Sequence, residues 1–158
     1  VGMIGHLMQI TPASLADILQ GEETVEAYME AEEIESLYLD KSWHAIHYIL
    51  NGKAWEGEEP LVHVILGGTP IGEDYGYGPP RYLTPEQVEQ VAQALTGLQG
   101  AELIGRYNPD LMAQQDIYPQ IDWDDEEEQQ YVFDYYWSLV DYYKAAAASG
   151  NGMLLYLT

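Results

Sequence analysis

The chain of 158 residues contains no cysteine and only five lysines and arginines. The first absence removes thiol nucleophiles, disulfides and thiolate-held metals, and a reducing compartment, the cytoplasm, is the expected location. The second leaves 27 acidic residues largely uncompensated, for a formal net charge of −22. A field of that sign repels phosphate backbones, so nucleic acid is not an expected partner. Long apolar runs are also missing: nothing approaches the ~20 residues needed to span a bilayer, and cations are too few for an interfacial anchor. The opening VGMIGHLMQI has no basic region, and Gly5, His6 and Gln9 interrupt its apolar stretch, so it reads as a strand rather than a signal peptide. No membrane association is expected.

What is present fits one domain over residues 1–158, long enough to bury roughly 68–70% of its unfolded surface without a disulfide or structural metal. The acidity admits two readings. It would steer in a basic protein, as an acidic inhibitor or nucleic-acid mimic does, or it reflects solvated helix faces that keep the chain soluble.

Local signals predict the elements. Thr11-Pro12 starts a helix that runs to about Gln20 with Leu15, Ile18 and Leu19 inward and Gly21 as its stop. Glu22 to Glu35 reads as a second, acidic helix with Val25, Tyr28 and Met29 as apolar points, and Leu37 to Leu39 as a brief strand. Asp40 is placed to cap a helix from Lys41 to Leu50, in which Trp43, Ile46, His47 and Leu50 share a face. Leu61 to Leu66 is too short for periodicity to choose between strand and helical turn. In LTPEQV, Thr84, Pro85 and Gln87 form a capping box, with Val88, Val91, Ala92 and Leu95 as the inward stripe that follows. Short helical pieces flank Asn108-Pro109. The acids Asp124 to Glu128 sit where they favour a helix N-terminus, ahead of the buried face Val132, Tyr135, Tyr136, Leu139, Val140 and Tyr143, and Met153 to Leu157 suits a last strand.

Between these elements lies GGTPIGEDYGYGPPR, Gly67 to Arg81, which reads as a long irregular loop of the kind that carries function. His44 and His47, at i and i+3, could reach one metal ion if Glu73, Asp74 or His63 supplied a third ligand, although no HExxH pattern is present. The plainer role is that of core histidines. Glu73 or Asp74, partly desolvated by Tyr75 and Tyr77, could act in acid/base chemistry, or could shape a turn or pair with Arg81. Arg81 itself suits an internal ion pair or an anion clamp, the internal pair being favoured. The glycines make no phosphate loop, since GxxxxGK[ST] is absent, and no GxSxG elbow surrounds a serine.

The strings GMIG, LDKSWHAIHYIL, LGGTPIGEDYGYGPPRYLTPEQV, RYNPDLM with IYPQIDW, and YYWSLVDYY before GNGMLLYL together resemble the YfbM-like family, bacterial proteins grouped under domain of unknown function 1877. The resemblance spans nearly the whole chain. It implies an α/β domain and no activity or catalytic residues to carry over. The expected fold is therefore mixed α+β, with a small central sheet that includes the N- and C-terminal strands and helices packed around it. The Gly67–Arg81 loop is expected to lie over the Trp43/His47 helix, with Trp43, His44, His47, Tyr75, Tyr77 and Arg81 lining a ligand pocket. The expected function is a non-enzymatic module that binds a small ligand or a basic protein and requires no cofactor or metal. The alternative is a small hydrolytic or metal-assisted enzyme using His47, Glu73 or Asp74. Nothing in the sequence sets an oligomeric state.

Overall fold

Strand alternation organises the molecule. In a computed structural model, which describes residues 2–74 and 76–158, β1 (Gly5–Ile10) lies antiparallel to β5 (Gly152–Leu157) with His6 opposite Tyr156 and Met8 opposite Leu154. β2 (Leu37–Asp40) borders β1, and β4 (Arg81–Leu83) with β3 (Thr69–Pro70) continues the sheet beyond β5, in the order β2-β1-β5-β4-β3 with every pairing antiparallel. Because the side-chain period is two, Leu7, Leu83, Met153 and Leu155 enter one core, whereas Met8, Ile10, Leu154 and Tyr156 enter another on the opposite face. The sheet includes the first and last strands, as expected, and they lie side by side within it. Gly152 has no room for a side chain, since a Cβ there would stand 2.6 Å from the Leu83 carbonyl oxygen.

The larger core is closed by α3 (Trp43–Asn51), α4 (Pro85–Gly97) and α7 (Glu126–Ala148), with α5 (Gly100–Arg106) and α6 (Pro109–Gln114) contributing Leu103 and Met112. α7 starts on an Asp125 cap that accepts from the Glu127 amide at 2.8 Å, and it buries Val132, Tyr136, Leu139, Val140 and Tyr143. α4 carries the capping box read from LTPEQV: Thr84 Oγ1 accepts from the Gln87 amide at 3.2 Å and Gln87 Oε1 accepts from the Thr84 amide at 2.9 Å. The smaller core is covered by α1 (Pro12–Leu19) and α2 (Val25–Met29), which supply Leu15, Ile18 and Val25.

Several expectations are corrected. The acidic helix over 22–35 is only α2, because Glu30, Glu32 and Glu33 follow Met29 where the negative end of a helix dipole disfavours carboxylates. Leu19 points to solvent, 53% exposed, while Leu15 and Ile18 alone anchor α1. Asp40 ends β2 with φ 51° instead of capping α3, whose preceding Ser42 hydroxyl donates to the Leu39 carbonyl at 2.6 Å. α3 has no solvent face: Trp43 to Leu50 are all buried, so a single apolar stripe understated it. Leu61–His63 forms a 3-10 turn, and Thr69–Pro70 pairs with β4, so the irregular segment is shorter than Gly67–Arg81.

Candidate functional site

The two α3 histidines are held by backbone groups of other segments. The Tyr118 amide donates to His44 Nδ1 at 2.7 Å, which makes Nε2 the protonated nitrogen, and Nε2–H donates to the Ala54 carbonyl at 2.8 Å. His47 Nε2–H donates to the Glu56 carbonyl at 3.1 Å, and its Nδ1 accepts from Asn51 Nδ2 at 3.3 Å. Burial lowers both pKa values, that of His47 to about 4, so each ring is neutral near pH 7. With both nitrogens of each ring engaged, neither has a lone pair directed at a ligand. Trp43 is enclosed too, its Nε1–H donating to the Met3 carbonyl at 2.9 Å and its ring stacked on His44 and Tyr118.

Arg81 projects to the same side of the sheet, where its Nη1 donates to the carbonyls of Ile65 at 2.7 Å and Gly67 at 2.8 Å. The favoured internal ion pair is thus replaced by carbonyl partners for Nη1, reached without desolvating a carboxylate. Burial lowers its pKa. His63 also has backbone and side-chain partners, accepting from the Gly68 amide at 3.0 Å and donating to Glu59 at 3.1 Å.

The loop lies elsewhere. Asp74 Oδ1 accepts from the amides of Gly76 at 2.7 Å and Gly78 at 3.2 Å, a turn-forming role, and the Glu73 amide approaches the Glu26 carboxylate of α2 at 3.5 Å. At Gly72, φ is 83° and a Cβ would stand 2.6 Å from Val25 Cγ1. This glycine lets the loop close down on α2, which belongs to the face opposite α3. The loop therefore does not cover the Trp43/His47 helix, and His47, Arg81 and the carboxylates of Glu73 and Asp74 do not converge. Tyr75 lies outside the described residues. Among the described residues, no three or more His, Asp or Glu side chains gather in a manner that could hold a metal ion.

Where loop, α2 and β5 meet, the surface opens into a recess of about 390 Å³, within the size range of ligand sites. Its walls include Met29, Pro80 and Leu157, the tyrosines Tyr77 and Tyr156, Gly78 and Thr158, and the acids Glu26 and Glu30. Tyr77 is 44% exposed, and Tyr156 stacks on His6 at 4.9 Å with Tyr38 at the far edge of that histidine. Burial lowers the pKa of His6, which removes a positive charge from this side of the sheet near neutral pH. Of the predicted pocket residues that are described, only Tyr77 lines the recess. The others were missed because α2, the C-terminal strand and the loop are remote in sequence, although Met29 and Tyr77 were each visible as apolar points beside acids. A second hollow of about 420 Å³, with Ile104, Phe133 and the exposed Trp137, is bounded by α5 and α7 alone.

Residues 1–156 match the family described as Domain of unknown function (DUF1877). No curated protein matches the chain. Among solved structures it is similar to a protein of unknown function, YfbM from Escherichia coli, at 20% identity and a TM-score of 0.77, over 98% of this chain and 99% of that one. At that identity the structural likeness speaks for the fold, and the match over nearly the whole length speaks for the family. The chain belongs to the DUF1877 family, whose α/β fold it shares with YfbM.

Proposed function

We propose that the protein is a non-enzymatic binding module whose ligand enters the recess between α2, the end of β5 and Tyr77. The observation that carries this reading is the division of labour between the two faces of the sheet. On the face packed by α3, the groups suited to chemistry, His44, His47 and Arg81, are committed to backbone carbonyls in the core. On the other face, an open recess is lined by tyrosine, methionine, proline, threonine and glutamate, a surface that offers apolar contact and charge complementarity to a ligand. Among the described residues the lining includes no histidine, cysteine, serine or lysine, and the Thr158 hydroxyl is bonded to His6 at 2.9 Å. The ligand is a small molecule or a side chain of a basic protein, in keeping with a field that draws cations to the surface.

A thermal-shift screen of neutral, anionic and cationic small molecules tests this, run on the wild-type protein and on Tyr77→Ala. The expected result is a set of compounds that raise the melting temperature of the wild type and lose that effect in Tyr77→Ala. Stabilisation that is indifferent to Tyr77→Ala, or consumption of the stabilising compound, overturns the proposal.

A further inference from the structure

Resting on the proposed binding role of this recess, we infer that its ligand is an organic cation, a guanidinium or alkylammonium group carried on an apolar stem. Three features of the walls point the same way. Met29, Pro80 and Leu157 offer an apolar strip that suits a methylene stem. Tyr77, exposed at the rim, adds an aromatic ring, which attracts a cation through its quadrupole, while Tyr156, stacked on His6, closes the wall. Glu26 and Glu30, one turn apart on α2 and its cap, place two carboxylates at the wall.

The distribution of positive charge agrees. None of the five lysines and arginines of the chain lines the recess. Arg81 is spent on carbonyls on the opposite face, Arg106 pairs with Glu102 at 3.0 Å, and Lys53 and Lys144 border other hollows. Lys41 lies against Gly2, beside Tyr118. An anionic ligand would meet the Glu30 carboxylate and the field of a −22 chain, and a neutral one would leave that field unused. The recess is also larger than a single guanidinium, so it accommodates the stem together with its head group.

The same head group is found on free small amines and guanidines and on the arginine side chain of a protein, and paired isosteres separate these sources. Isothermal titration of the whole protein compares n-butylguanidinium with its neutral isostere n-butylurea. A second arm compares capped Gly-Arg-Gly with capped Gly-citrulline-Gly. Each guanidinium should bind roughly tenfold or more tighter than its urea, and Glu30→Gln and Tyr77→Ala should each weaken it roughly threefold, as expected for exposed charge and cation–π contacts. Added salt should weaken the guanidinium and leave the urea unchanged. Binding of n-butylguanidinium alone assigns a small-molecule ligand, and binding of both it and the arginine peptide assigns a protein side chain. Ureas that bind within about twofold of the guanidiniums overturn the cation assignment, as do Glu30→Gln and Tyr77→Ala proteins with unaltered affinity. If a neutral or anionic compound from the thermal-shift screen binds in a Tyr77-dependent way while the guanidiniums do not, the ligand class is wrong and the binding role stands. If no compound of any charge binds there, both fall.

Discussion

At the scale of single residues, the buried ionisable groups set how the protein responds to pH. His47 has a folded pKa of about 4 against a usual 6.5, so between those values the unfolded chain takes up a proton that the folded chain refuses. Its contribution is complete above pH 6.5 and is lost as the pH falls toward 4; at 1.36 kcal/mol per pH unit the loss is about 3 kcal/mol. His44, shifted in the same direction, adds to it. Urea unfolding between pH 7 and pH 4 should therefore show stability dropping with acid, and His47→Gln should flatten part of that slope. An unchanged slope would contradict the placement of His47. Arg81 makes a different prediction: Arg81→Met leaves the Ile65 and Gly67 carbonyls without their donor and should cost about 3 kcal/mol in urea unfolding at pH 7. A nearly neutral change would mean that water replaces the guanidinium. The sequence could mark both residues as notable, because cations and histidines are scarce, yet it could not choose their partners. Those partners are backbone carbonyls, which leave no trace in residue type.

At the scale of elements, what could be read depended on whether the signal was local. The start of α4 is fixed by contacts within four residues, so LTPEQV sufficed to find the box formed by Thr84 and Gln87. Thr84→Ala removes one arm of that box and should destabilise the protein by about 1 kcal/mol in the same unfolding assay. Thr84→Ser, which keeps the oxygen, should stay near the wild type. The end of α2 is hidden because glutamate has good helix propensity and the penalty at the C-terminal end is positional. α3 was read as one-sided because burial on every side comes from the strands, helices and loops that surround it, and periodicity cannot report that. The loop's position is hidden for a related reason: Gly72 lies against Val25 and Glu26 across a separation that no local pattern encodes.

At the scale of the whole molecule, the presence of the first and last strands in the sheet is legible from two apolar strand segments at the ends, whereas their adjacency within it is not. Among the described residues no helix is long and apolar enough to cross a membrane, in keeping with the absence of a long apolar run. The net charge of −22 imposes self-repulsion on the folded state, and salt relieves it. Raising sodium chloride from about 20 mM to about 0.5 M, which shortens the screening length severalfold, should raise the melting temperature, whereas a flat or falling response would show that the acids are already balanced locally. The two faces of the sheet differ in their charged groups, with Arg81 on carbonyls on one side and Glu26 and Glu30 lining the Tyr77 recess on the other.

The most direct test of that asymmetry is a methyl NMR titration of the whole protein labelled at its five methionines, with n-butylguanidinium as the added ligand. Met29 lines the recess, whereas Met8, Met112 and Met153 are buried in the two cores. The account predicts that the Met29 methyl signal shifts saturably while those three stay in place, and that Tyr77→Ala weakens the response. A Met29 signal that does not move, or shifts centred on the other methionines, would contradict it.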